Sequence, residues 1–300
     1  MDMPDRLALL GVEADVMTPA QMLDHVTEWV AAGEGGIVAN HNLHSLYLYH
    51  RDPALRAFYA RADLIEIDSV PIVAWGRLMG HKVSRDHRST YLDFRDAFWD
   101  RAIANGWRVY HLGGAPEHAE PARAAILARH PQADLHCRHG YFQMTGADND
   151  AIIADIHDKR PHILLIGMGM PRQELWLHEN YDRLPSLVAF PVGGAFDYEA
   201  GATYTPPRWT GRMGVEWMIR WVHDPRRLFS RYFIEPWTLI PHMIRDLGHR
   251  LSGKKPAVIA RIRQPAWHRP QALSGSHVPA VAKPATPEPM APSVAARRIR

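Results

Sequence analysis

Two apolar runs each end in a glycine turn that leads toward a helix start: ILLIGMGMPRQE over Ile163 to Glu174 and LVAFPVGGAFD over Leu187 to Asp197. VYHLGGAPEHAE over Val109 to Glu120 repeats the design. Glycine lets a ligand's phosphates approach the backbone, and the helix start offers unpaired N–H groups and the positive end of its dipole, so each unit has the chemistry of a diphosphate seat. Glycines after strands are also ordinary loop punctuation. Convergence of Gly113-Gly114, Gly167 with Gly169, and Gly193-Gly194 on one edge of a parallel sheet points to a nucleotide-type substrate. None of these turns has the G-x-G-x-x-G spacing of a dinucleotide site, and Gly113-Gly114 lacks the lysine and hydroxyl of a P-loop, which disfavours NAD and ATP.

A carboxylate and a set of arginines complete the chemistry. The apolar ladder Leu64-Ile65-Glu66-Ile67 delivers Asp68 to the C-terminal end of a strand, where active-site groups of open α/β sheets sit; the plainer alternative is that Asp68 caps a helix. From Thr203 the texture changes, with Trp209, Trp217, Trp221 and Trp237 set among Arg208, Arg212, Arg220, Arg226, Arg227 and Arg231. Arginine grips a diphosphate by bidentate contacts, Arg227 and Arg231 stand one helical turn apart, and the Trp, Phe and Ile side chains suit a lipid interface. The alternative is that these aromatics only pack C-terminal helices onto the sheet. Other candidates are weaker. Asp148-Asn149-Asp150 resembles a DxD metal clamp but opens a helical pattern, and the nineteen histidines show no recognisable set of zinc ligands. Cys137, beside Arg138 and two histidines that would lower its pKa, has no motif for nucleophilic catalysis.

Positioning these groups takes alternating β and α elements. Strands are expected within Leu7 to Val12 and at Ile37 to Ala39, Leu64 to Ile67, Trp107 to Leu112 and Leu135 to Arg138, besides the two glycine-ended runs. Helices are expected from the capping box Thr18-Pro19-Ala20-Gln21 to about Ala32, from Asn42 along Leu43, Leu46 and Tyr47, after Asp52-Pro53 to Ala62, and over Tyr91 to Asn105, Pro116 to Arg129 and Asp148 to Lys159. Val215 to His223 and Pro225 to Phe233 read as two short helices separated by the restart Asp224-Pro225. Parallel strands need such crossovers, so the fold class is α/β.

Composition bounds the rest. Three hundred residues at 46% hydrophobic content can bury a substantial core in one or two domains. One cysteine leaves no internal disulfide, and the start MDMPDRLALLGVEAD lacks a basic region followed by a long apolar stretch, so a cytoplasmic location is expected. No run approaches the roughly 18 apolar residues that cross a bilayer. The last fifty residues carry nine Lys/Arg against Glu288 alone, while the first 250 carry 26 basic against 31 acidic residues. That basic, proline-rich tail is expected to be disordered and suits an anionic lipid surface. Nucleic acid is a rival partner, but aromatics interleaved with the charges are nearly absent, Trp267 excepted; a solvated extension with no partner is the third reading.

The ordered series Asn40-His41-Asn42, DPALR, ADLIEID, YHLGGAP, GYF, ILLIGMGMPRQE, VGGAFDYEAG, the Arg-Trp segment and EWMIRWVHDPRR resembles the WecG/TagA/CpsF family of bacterial glycosyltransferases over roughly residues 8 to 235. The resemblance implies a Rossmann-like parallel sheet flanked by helices over residues 1–202, a helical membrane- and acceptor-binding appendage over 203–247, and leaves 248–300 as the disordered tail. It implies inverting transfer of a hexosyl or N-acetylhexosaminyl group from a UDP-sugar to a polyprenyl-diphosphate-linked saccharide on the inner face of the cytoplasmic membrane, in exopolysaccharide or surface-polysaccharide synthesis, without a cofactor or required metal. By the same resemblance Asp68 is the general base, Gln173 reaches the sugar or its phosphates, and Glu174 braces the loop. Asn40, Asn42, Gly193, Gly194, Phe196 and Asp197 line the donor seat, and Arg212, Arg220, Arg227 and Arg231 clamp the acceptor or leaving group. The chain departs from the family pattern at Asn40, at Ser69 after the aspartate, around Arg88 and Thr90, and at Thr205. Those positions surround the pocket and keep a catalytically inactive nucleotide-sugar-binding or assembly protein as the alternative.

Overall fold

The computed structural model describes residues 3–205, 207, 210–211, 214–253 and 258–259, with only the backbone described for Arg227, Val258 and Ile259. The chain opens with an antiparallel hairpin, β1 (Arg6–Leu9) and β2 (Val12–Asp15). The single strand expected within Leu7 to Val12 is thus two, because Leu10 and Gly11 turn the chain at φ of 53° and 76°. Helix α1 (Pro19–Ala31) starts on the expected capping box: Gln21 N–H donates to Thr18 Oγ1 at 3.3 Å and Thr18 N–H to Gln21 Oε1 at 2.9 Å.

Strand β3 (Gly36–His41), α2 (Leu43–Tyr49), α3 (Pro53–Arg61) and β4 (Leu64–Ile67) follow. Helix α4 (Val70–Leu78) has no counterpart in the sequence reading, although Pro71 in its first turn is a start signal. Then come α5 (Tyr91–Ala104), β5 (Arg108–Gly113), α6 (Pro116–Arg129), β6 (Asp134–Arg138), α7 (Ala147–Lys159), β7 (Ile163–Gly167), α8 (Arg172–Asn180), β8 (Val188–Pro191) and α9 (Ala195–Glu199). The C-terminal helices are α10 (Glu216–His223), α11 (Pro225–Phe229), a π-helical turn over Ser230–Ile234, and α12 (Ile240–Leu251). Helix α12 runs past the boundary expected at 247, and β9 (Val258–Ile259), within the expected tail, pairs with β1. Residues 260–300 of that tail lie outside the described residues.

Six strands form one parallel sheet in the order β4-β3-β8-β7-β5-β6, as the α/β reading requires. Its strands are apolar on both faces because helices cover both. On β7, Ile163 and Leu165 join a core with Val26, Trp29, Phe98 and Trp107, whereas Leu164 and Ile166 join another with Phe58, Ile152, Ile156 and Trp176. The hairpin forms a third core with α4. It is pinned by a buried ion pair: Arg6 Nε donates to Asp15 Oδ1 at 2.6 Å, and Asp15 Oδ2 accepts the N–H of Ile65 in β4 at 2.7 Å.

At the carboxyl edge the strand ends nearly touch. A Cβ added at Gly113 would lie 2.4 Å from the Gly167 carbonyl oxygen, and one at Gly167 would lie 2.7 Å from the Gly193 carbonyl oxygen. Replacing Gly113 by alanine therefore forces the ends of β5 and β7 apart. The expected cost is about 1–3 kcal/mol of stability, read as a lower urea midpoint at unchanged slope. An unchanged midpoint would show that this edge yields freely.

Candidate active site

The glycine turns, the ends of β3 and β4, and the C-terminal helices open onto one cleft of about 1000 Å³. It sits where the strand order reverses, since β3 to β4 runs toward one edge of the sheet and β5 to β6 toward the other. Asn40, Asn42, Asp68, Gly114, Gly167, Gly169, Gln173, Gly193, Gly194, Asp197, Arg220 and Arg231 line this cleft. Gly113, Glu174 and Phe196 are buried behind its wall. Arg212 lies outside the described residues, and Arg227 is described by its backbone alone.

Asp68 follows β4 directly, its N–H donating to the His41 carbonyl at 2.8 Å. Burial pushes its carboxyl up to about 6, against the pull of Arg88, Arg220 and Arg231, while Glu216 adds to the rise. Two of those arginines share a partner: Arg88 Nη2 donates to Glu216 Oε2 at 3.0 Å and Arg220 donates to Glu216 Oε1. Glu216 thus ties α10 to the segment that follows β4. The Arg220 guanidinium also lies 5.4 Å from the centre of the Tyr198 ring. Arg231, in the π-helical turn, reaches Asn42 Oδ1 at 3.4 Å. Asn42 caps α2 by accepting the N–H of Ser45 at 3.0 Å, and Asn40 Nδ2 donates to the Pro191 carbonyl at 2.9 Å, joining β3 to β8.

Part of the backbone at the glycine turns is already engaged. Their backbone turns face the cleft, with φ of 68° at Gly114, 76° at Gly169 and 57° at Gly193, but several of their N–H groups already have partners. Gln173 Oε1 accepts from Gly169 N–H at 3.2 Å and from Gly193 N–H at 3.1 Å, and Gly114 N–H donates to the Gly167 carbonyl at 3.0 Å. Gly194, Ala195 and Asp197, at the entry to α9, also line the cleft. Gln173, expected at the sugar, here fastens two loops together and donates to Glu174 Oε1 at 2.7 Å. Glu174 is buried beneath it, its carboxyl pushed up to about 7 by burial. Asp197 meets His118 Nδ1 at 3.0 Å.

Other sequence candidates resolve differently. Cys137, whose neighbours suggested a lowered pKa, is instead pushed up to about 12 by burial. In Asp148-Asn149-Asp150, the middle side chain turns inward, accepting from Trp176 Nε1 at 2.7 Å and donating to Asn180 Oδ1 at 2.8 Å. Glu66 and Glu216 line or brace the cleft and were not foreseen there. A charge inside the apolar ladder of β4, two residues before Asp68, was the available signal for Glu66.

The C-terminal helices present an apolar face to solvent. Trp217, Met218 and Val222 on α10, then Phe229, Phe233, Ile234 and Trp237, are exposed. On α12, Ile240, Ile244, Leu247 and Leu251 recur at helical spacing and are exposed too, Ile244 at 66%. Trp237, at 69% exposure, does not pack onto the sheet. No described helix is long and apolar enough to cross a membrane.

The descriptive model of the "Glycosyl transferase WecG/TagA/CpsF family" matches residues 7–253. The N-acetylglucosaminyldiphosphoundecaprenol N-acetyl-beta-D-mannosaminyltransferase of Staphylococcus aureus strain MW2 is 24% identical over 233 residues, which covers 74% of this chain and 87% of that protein. Its counterparts in strains NCTC 8325 / PS 47 and COL align with the same identity and coverage. With the match running from the hairpin through α12, the chain belongs to the glycosyl transferase WecG/TagA/CpsF family.

Proposed function

We propose that this glycosyltransferase moves a hexosyl or N-acetylhexosaminyl group from a UDP-sugar to a polyprenyl-diphosphate-linked saccharide, with inversion, during surface- or exopolysaccharide synthesis at the inner face of the cytoplasmic membrane. The observation that carries this reading is the meeting of the Asp68 carboxyl, Arg220 and Arg231 with the glycine-turn edge in one cleft. The name of the staphylococcal relatives, an N-acetylmannosaminyl transfer onto a diphosphoundecaprenol-linked sugar, supports the class of acceptor.

In this chemistry Asp68 takes the proton of the acceptor hydroxyl as that oxygen bonds to the sugar's C1 from the face opposite the nucleotide. The bond from C1 to the phosphate oxygen breaks, and UDP leaves with the electron pair. Arg220, Arg231 and the start of α9 stabilise the charge that develops on it. No metal ion is called for, because two arginines supply positive charge at the same place. The exposed apolar side chains of α10 to α12 seat the protein on the bilayer that holds the acceptor.

Replacing Asp68 by Asn is expected to lower transfer by about 10²–10⁴-fold while UDP affinity, measured by calorimetry, stays within about twofold. Wild-type transfer should fall as pH drops through about 6, where the base takes up its proton. A wild-type chain that binds UDP-sugars and transfers none would instead be the inactive binder. Replacing Ile244 and Leu247 together by Glu should release the protein from anionic vesicles in a flotation assay; undiminished flotation would move the membrane contact elsewhere.

A further inference from the structure

Strand side chains alternate between faces, so Glu66 and Asp68 project from the same side of the β4 line and both line the cleft. Glu66 is only 4% exposed. It accepts a hydrogen bond at Oε1 from the hydroxyl of Ser89, which is itself fixed by its N–H donating to the Ile67 carbonyl at 2.9 Å. Asp68 has three arginines acting on it; the charged groups acting on Glu66 are both acidic, Asp68 just past the end of its strand and Asp93 from the first turn of α5. The proton-transfer step described above has no use for this second carboxyl group.

We propose that Glu66 is a specificity-determining residue whose carboxyl group donates one hydrogen bond to a hydroxyl or acetamido oxygen of the donor's sugar, seated beside Asp68. This inference rests on the nucleotide-sugar reading. Burial and the two acidic neighbours push the Glu66 carboxyl up to about 8, so it is the neutral acid at physiological pH. A neutral carboxyl has one O–H to give. With Oε1 taken by Ser89, that O–H belongs to Oε2 and calls for an acceptor. A sugar supplies acceptors of this kind at every hydroxyl and at an acetamido carbonyl. The donor's sugar is the better fit of the two sugars in the reaction. Glu66 stands two residues further from the carboxyl edge than Asp68, deeper in the cleft, whereas an acceptor carried on a lipid comes to Asp68 from outside. Ionisation of Glu66 removes this donor and sets a second negative charge beside the general base.

The test compares Glu66→Leu and Glu66→Gln in the full-length protein, with folding checked by circular dichroism. Calorimetry is run with UDP and with a panel of UDP-hexoses and UDP-N-acetylhexosamines, and transfer is followed across pH. The leucine variant should weaken binding of the preferred UDP-sugar, and raise its KM, by about 10–100-fold while UDP alone binds as before. The glutamine variant, which keeps an N–H donor, should restore most of that loss. Wild-type transfer should fall above about pH 8, and this alkaline fall should vanish in the glutamine variant. The proposal is overturned if the leucine variant binds the UDP-sugar as wild type does, if glutamine fails to rescue a folded protein, or if the alkaline fall persists in it. A wild-type protein that binds no UDP-sugar at all would overturn the nucleotide-sugar reading itself, and this proposal with it.

Discussion

The cleft depends on the near-contact of three strand ends, at Gly113, Gly167 and Gly193, with no side chain between them. Only a Cβ-free backbone allows β5, β7 and β8 to finish this close together, and that closeness brings three loops within reach of one ligand. Gln173 then fixes two of those loops by accepting from both with one carbonyl oxygen. The glycines therefore matter first as packing and only second as a surface for phosphate. Positive charge at this edge comes from Arg220 and Arg231, which the C-terminal helices bring to the cleft.

That arrangement raises a charge problem, which the structure answers with pairing. Asp68 lies half-buried among arginines, which draw its carboxyl down against the rise that burial gives it. Glu216, held between Arg88 and Arg220, takes up part of their field and works with burial to raise Asp68. The same carboxylate is the tie that holds α10 over the cleft. One ion-pair cluster thus both holds the helix and contributes to the raised carboxyl of Asp68.

Much of this was legible in the sequence because it is local. Strand-glycine-helix units, the Thr18 capping box and the arrival of Asp68 at a strand end are written in adjacent residues. What escaped depends on neighbours distant in sequence. Nothing near Gln173 says that its amide will bridge two loops, because Gly193 stands twenty residues on and meets it only through the sheet. Cys137 was read from Arg138 and nearby histidines, whereas its pKa is set by the packing that buries it. The turn at Leu10-Gly11 was lost for another reason: an apolar run conceals a hairpin when the turn itself includes a leucine.

Helix α10 joins the two halves of the functional reading by simple geometry. Arg220 lines the cleft and pairs with Glu216 four residues before it, and Met218 and Val222, also four apart and offset by two, face solvent. An offset of two residues turns the helix by about 200°, so the ionic and apolar faces are nearly opposite, separated by a helix roughly 10 Å across. A lipid surface touching the outer face would hold a diphosphate headgroup within about one helix diameter of the arginines. The acceptor could then reach Asp68 with its lipid chain still in the bilayer. On the proposed docking, a protein with no membrane-spanning helix among its described residues would act on a substrate that stays in the membrane.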